Sequence, residues 1–274
     1  MRLLRLGSIL VLLCSLAFYV WATARYYSNL NMDTPVLESD VEELVISASD
    51  GREALLQGLH ASDATDGDLT DQIMISSISH FLEPGVVKVR YVVFDEQNHS
   101  ATLERRVRYK DYTAPRFSLE EAPVYRVGES FSLLDEIGAT DVLDGDISRK
   151  VRLVSSAVSI FSAGTYPVTL EVSNSCGETA QITLWVTYES KESTAIVTLH
   201  RYIVYVQQGQ SFDPAQWLAT VTDRNANALD KDKVELLGNL DTSTPGCYQL
   251  VYSYQDGTLS GQAPLTVVVT ERQD

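Results

Sequence analysis

Gly85-Val86-Val87-Lys88-Val89-Arg90-Tyr91-Val92-Val93 decides the architecture of this 274-residue chain. Val87, Val89, Tyr91 and Val93 share one parity, and Lys88 and Arg90 share the other. Alternate residues of an extended chain face opposite ways, so this is an antiparallel strand with one dry and one wet side. The pattern returns as Gly164-Thr165-Tyr166-Pro167-Val168-Thr169-Leu170-Glu171-Val172, and again as Gly246-Cys247-Tyr248-Gln249-Leu250-Val251-Tyr252-Ser253-Tyr254. The spacings are 79 and 82 residues. A unit recurring at a near-constant period means tandem modules.

Each copy closes alike. A short polar turn follows (Asp95 to Ser100, Ser173 to Glu178, Gln255 to Ser260), then a second alternating run. In that run Leu103/Val107/Tyr109, Ile182/Leu184/Val186 or Leu265/Val267/Val269 face inward, which completes a hairpin. Upstream lie shorter strand-like stretches: Val41 to Ile46, Val124 to Val127 and Ile203 to Val206, then Ile73 to Ser76, Val151 to Val154 and Val234 to Leu237. Beyond residue 30 no segment keeps a helical period over three turns. The expected fold is all-β, with three tandem small sandwiches after an N-terminal hydrophobic helix.

The first two copies share another element. Asp63-Ala64-Thr65-Asp66-Gly67-Asp68-Leu69-Thr70 aligns with Asp141-Val142-Leu143-Asp144-Gly145-Asp146-Ile147-Ser148. Together with the glycine-led strand, this A-x-D-x-x-D-G-D-[IL]-[ST] pattern resembles the bacterial immunoglobulin-like (Ig-like) repeats of surface and secreted proteins, particularly of Gram-positive bacteria. The resemblance runs over roughly residues 35 to 270. The third copy keeps Thr222-Asp223 but has Arg224-Asn225-Ala226-Asn227-Ala228 in place of D-G-D. The resemblance implies a sandwich used as spacer or binding module, and no single activity.

The N-terminus carries the other decisive segment. Arg2 and Arg5 precede Leu6 to Ala24, nineteen residues without a charge. That length just spans a hydrocarbon core. Two readings are open. As a signal anchor, the segment keeps the basic residues inside and the repeats outside, with Phe18, Tyr19, Trp21, Tyr26 and Tyr27 as an outer aromatic belt. As a signal peptide, it is cleaved after Ala22-Thr23-Ala24 and the protein is secreted. Leu13 before Cys14 argues against a lipoprotein site. The expected organisation is a cytoplasmic segment 1–5, anchor 6–24, stalk 25–34 and Ig-like domains at 35–111, 112–190 and 191–274. Linkers are expected near Lys110 to Pro115 and Glu189 to Ala195.

All 37 acidic residues lie beyond residue 32, against 19 basic residues from Arg25 onward, so the exported part carries a net −18. Such a surface repels nucleic acid and polyanions such as teichoic acids, and keeps the protein soluble. Cys176 and Cys247 are too few for a disulfide scaffold. Their positions in separate repeats, taken as lying end to end, predict that they do not pair within one chain, with Cys247 a surface thiol. The C-terminus has no Leu-Pro-x-Thr-Gly sorting signal.

No G-x-S-x-G, H-E-x-x-H, C-x-x-C or phosphate loop occurs, and His60, His80, His99 and His200 are scattered. The expectation is a protein that is not an enzyme and has no cofactor. The aspartate loops are the one place for metal chemistry. Asp63, Asp66 and Asp68, and likewise Asp141, Asp144 and Asp146, are calcium candidates, since each trio offers carboxylate oxygens around a glycine turn. The alternative, which takes precedence, is that Asp-Gly makes the turn while Asp63 and Asp141 cap backbone amides.

Gly85, Gly164 and Gly246 are expected in turns needing positive φ or close packing. Trp185, on the polar parity, is expected to be exposed or half-covered at a junction, and Trp217 to sit in a core. Two functions stay open. One is a membrane-tethered surface protein acting in adhesion, spacing or assembly. The other is a module binding a carbohydrate or sensory ligand through loops of one domain. An extracellular protein or glycan is the expected partner for either.

Overall fold

The computed structural model of the protein describes residues 2–28, 33–190 and 194–272; the side chains of residues 2–6, 8–10 and 26–28 fall outside that description. Helix α1 (Arg2–Ser28) comes first. Among the described residues no helix is long and apolar enough to cross a membrane.

The alternating runs form strands as their parity dictates. The first repeat holds β1 (Val36–Ser39), β2 (Glu43–Ile46), β3 (Leu59–Asp63), β4 (Gly67–Asp68), β5 (Met74–Ile78), β6 (Val86–Phe94) and β7 (Ser100–Tyr109). The second holds β8 (Arg116–Leu119), β9 (Val124–Arg126), the single-turn α2 (Leu133–Glu136), β10 (Ile137–Asp141), β11 (Gly145–Asp146), β12 (Arg152–Ser156), β13 (Gly164–Ser173) and β14 (Thr179–Glu189). The third holds β15 (Ala195–Leu199), β16 (Ile203–Gln207), β17 (Leu218–Asp223), β18 (Val234–Gly238), β19 (Gly246–Asp256) and β20 (Leu259–Thr270).

Each repeat contributes a small sheet and a four-stranded sheet. The small ones run β1-β3-β4, β11-β10-β8 and β15-β17; the larger ones β2-β7-β6-β5, β12-β13-β14-β9 and β16-β20-β19-β18. The long hairpins bring apolar residues face to face: Val87 opposite Val107, Leu170 opposite Ile182, Leu250 opposite Leu265. In the second and third repeats the strand capping the hairpin runs parallel to it, β9 beside β14 and β16 beside β20. Val87, Val89, Tyr91 and Val93 have no solvent exposure, as their parity requires.

The chain divides into two compact units. The first takes in residues 1–46, 50–82 and 86–108; the second takes in 47–49, 83–85 and 109–274. The second therefore contains two of the three repeats. Their cores merge into one apolar cluster running from Phe117 to Val267, so these two repeats pack against each other rather than standing apart. Segment 110–115 is pinned rather than loose: Asp111 accepts from the Ala48 amide at 2.7 Å, and Tyr112 is buried. Of the other expected linker, residues 191–193 lie outside the described residues.

One feature of the first unit breaks the sequence pattern. Arg105 lies on the inward parity of β7 with Leu103 and Val107, and it is 2 % exposed. Its Nη1 donates to Gln57 O at 2.7 Å and Ser39 Oγ at 3.1 Å; its Nη2 donates to Leu55 O at 2.7 Å and Tyr91 Oη at 3.2 Å. The Tyr91 hydroxyl also donates to Leu55 O, at 2.7 Å. A buried guanidinium is tolerated because oxygens meet both terminal nitrogens, while Nε is buried without a partner.

Of the three repeat glycines, Gly85 meets the expectation in full. Its φ is 73°, and a Cβ there would stand 3.1 Å from the Tyr109 carbonyl. Gly164 and Gly246 also have positive φ, 158° and 156°, and a Cβ at Gly164 would stand 3.2 Å from the Tyr166 hydroxyl.

Candidate functional site

The aspartate loops fold as Asx turns. Asp63 Oδ1 accepts from the amides of Thr65 at 2.8 Å and Asp66 at 3.1 Å, and Asp68 Oδ1 accepts from Thr70 at 2.9 Å. Asp66 Oδ2 reaches across to the Glu96 amide at 2.9 Å. The second repeat copies this geometry. Asp141 Oδ1 accepts from Leu143 at 2.9 Å and Asp144 at 3.0 Å, and Asp146 Oδ1 accepts from Ser148 at 2.9 Å. Asp144 Oδ2 takes the Ser175 amide and the Lys150 ammonium, both at 2.8 Å.

These contacts also tune the carboxylates. The Ser148 hydroxyl and amide hold Asp146 below the ordinary carboxylate range, and Thr70 does the same for Asp68. At Asp144 burial pushes upward, but Lys150 and Ser175 outweigh it, so the group is again lowered. Among the described residues no three His, Cys, Asp or Glu side chains come together to hold a metal.

The third repeat is informative because it lacks D-G-D. Asp223 Oδ1 still accepts from the amides of Asn225 at 2.8 Å and Asn227 at 2.9 Å. The turn thus survives loss of two carboxylates, which is what a turn-forming motif requires and a ligand set does not. The first two loops differ at their buried end. Asp141 Oδ2 accepts from Asn174 Nδ2 at 3.1 Å, and the same amide donates to the Tyr112 hydroxyl at 2.9 Å. Asp63 Oδ2 is buried without a partner, and the position matching Asn174 is Asp95, whose carboxylate pairs with His99 Nδ1 at 2.7 Å.

A second place, unmarked by any motif, is a cleft of about 640 Å3 within the second unit. It forms where two edge strands meet: β8, outermost in its three-stranded sheet, and β16, outermost in its four-stranded sheet. Two hydrogen bonds fix that seam. The Phe117 amide donates to Tyr205 Oη at 2.8 Å, and the Tyr202 amide donates to Leu119 O at 3.3 Å. Arg116, Ser118 and Thr140 stand on one wall, His200 and Arg201 on the other, and Tyr205 and Trp217 are half-buried between them. The Arg116 guanidinium lies 5.2 Å from the Tyr205 ring centroid. Burial pushes the Tyr205 hydroxyl up to about 12, so it stays protonated.

Trp217, expected in a core, packs half-buried against it and stacks on Phe212 with 6.4 Å between ring centroids. Its indole nitrogen is turned inward without a partner, so ring carbon, not a donor, faces the cleft. Trp185 is half-covered, opposite Pro167 across the β13–β14 ladder. Cys176 and Cys247 are free thiols. Cys176 is buried, which pushes its thiol up. Cys247 is half-buried against the core rather than fully at the surface.

A sandwich repeat with a capped hairpin and Asx-turn loops defines an immunoglobulin-like module. Residues 201–269 match the family described as bacterial surface protein, Ig-like domain, which supports bacterial Ig-like repeats. The match falls on the repeat that lacks D-G-D. The pesticidal crystal protein Cry22Aa of Bacillus thuringiensis is 28% identical over 206 residues, 72% of this chain and 27% of that protein. The chain therefore spans about a quarter of that relative's length. Among solved structures, CBM51-2 in complex with GlcNAc and INT domains of Clostridium perfringens ZmpB is 16% identical, covering 85% of this chain and 41% of that one, with a TM-score of 0.24. Drosophila N-cadherin EC1-3 is 10% identical, covering 85% and 98%, with a TM-score of 0.29. Likenesses this weak carry no argument about what this chain binds.

Proposed function

We propose that this protein is a non-catalytic, membrane-tethered extracellular module, held by Leu6 to Ala24 and presenting its Ig-like repeats outward for adhesion, spacing or assembly. The surface-type Ig-like domain at residues 201–269 carries this reading. The order of charges supports it: Arg2 and Arg5 flank the apolar run on one side, and every acidic residue lies on the other. The aspartate loops support it too, since their carboxylates are committed to backbone amides and not poised for acid–base work. Fractionation of cells making the full chain, and a variant lacking residues 2–24, tests the tether. The full chain should stay in the membrane pellet until detergent is added, and the variant should be soluble. Protein recovered from the medium and beginning at Arg25, after Ala22-Thr23-Ala24, would establish cleavage and secretion instead.

One observation favours the second reading, ligand binding. The cleft between β8 and β16 joins exposed cationic side chains to two half-buried aromatic rings, the usual makings of a small-ligand site.

A further inference from the structure

We infer that the β8–β16 cleft takes a short saccharide whose sugar ring carries a carboxylate. The inference rests on the ligand-binding reading just given.

The charge of the cleft runs against that of the protein. The chain is net −16, yet Arg116 and Arg201 both line this cleft, with Glu120 as the one carboxylate beside them. Among the described residues no ion pair engages either arginine. An exposed guanidinium presents a planar fork of donors suited to a carboxylate. The aromatic surface of Tyr205 and Trp217 supplies what a sugar ring stacks on, and the Ser118 and Thr140 hydroxyls suit its hydroxyl groups. A volume of about 640 Å3 fits one or a few rings. The net −16 of the chain repels a long polyanion, which favours a chain end or short oligomer.

A peptide is the competing occupant, since an open sheet edge captures extended backbone. Here the β8 edge is partly taken. Phe117 and Leu119 are the β8 residues whose backbone groups face away from β10, and the Tyr205 hydroxyl and Tyr202 amide occupy the Phe117 amide and Leu119 carbonyl. Two arginines and two aromatic rings beside that edge favour a ring and its charged substituent over an extended backbone.

The test is calorimetry on the full chain in non-ionic detergent. The probes are galacturonic acid trimer, glucuronic acid and N-acetylneuraminic acid, each beside its methyl ester, and a hexaglutamate peptide. At least one free acid should bind, with its ester at least about tenfold weaker, because a charge-assisted hydrogen bond is lost. Arg201→Gln and Arg116→Gln should each weaken the acid by about tenfold or more while the melting temperature holds. Acid and ester binding equally would overturn the carboxylate and leave ligand binding standing. The peptide binding more tightly than every sugar would overturn the saccharide. Binding by none of the free acids would overturn this inference.

Discussion

Replacing Arg105 with methionine tests whether the first unit is held by a buried guanidinium rather than by its apolar parity alone. Methionine matches the length but donates nothing. Leu55 O would keep the Tyr91 hydroxyl at 2.7 Å, while Gln57 O and Ser39 Oγ would lose the partner that now reaches them at 2.7 and 3.1 Å. A hydrogen bond from a charged donor contributes about 1.5–3 kcal/mol, and an unmade buried one costs about as much. The cation–π contact with Tyr91, at 5.2 Å, adds about 1 kcal/mol. Releasing the guanidinium from a dry site offsets part of this. The net expectation is a loss of about 2 kcal/mol, or about 10 °C in a domain of this size. Lysine should do no better, because one ammonium cannot span two carbonyls held by a fork. Differential scanning calorimetry of the chain would show the transition of residues 1–108 falling while the other stays. A methionine variant as stable as the parent, or a lysine variant that keeps full stability, would refute the reasoning.

The remaining predictions concern the second unit and the loops. Gly261→Ala should destabilise residues 109–274 by about 2 kcal/mol or more, because a Cβ there would lie 2.1 Å from the Ala195 carbonyl oxygen and rigid backbone must shift; an unchanged denaturant midpoint would contradict this. Melting curves in chelator and in millimolar calcium should coincide, since backbone amides already occupy the loop carboxylates; a rise with calcium would establish Asp63/Asp66/Asp68 or Asp141/Asp144/Asp146 as ligands. Asp144 is held below its ordinary value of 3.8, so its contribution is present above that pH and is lost as pH falls through the lowered value. The melting temperature of the second unit should therefore drop below about pH 4, and Asp144→Asn should flatten that drop. Parallel acid profiles for parent and variant would count against it.

The fold was legible wherever one strand face is dry. Val87 to Val93, Val168 to Val172 and Leu250 to Tyr254 announced their strands because burial there follows a strict period of two. The Asx turns were legible because Asp-Gly has few other uses at that spacing. Arg105 was hidden for the opposite reason: it sits at an inward position, and its partners are carbonyls of Leu55 and Gln57, which leave no mark in a sequence. Gly261 was hidden too, since its need for a missing Cβ comes from Ala195, a strand away in another sheet. The cleft could not be read at all. Its arginines come from β8 and from the turn before β16, and its tryptophan from the turn before β17, so only packing of the second repeat on the third brings them together.

The tether and outward orientation are tested most directly by protease treatment of intact cells that make the full chain. A protease unable to cross the membrane should remove residues beyond the stalk, leave a membrane-bound fragment containing Leu6 to Ala24, and spare a cytoplasmic control. Repeats that stay intact until the cells are lysed would place them inside and contradict an extracellular role.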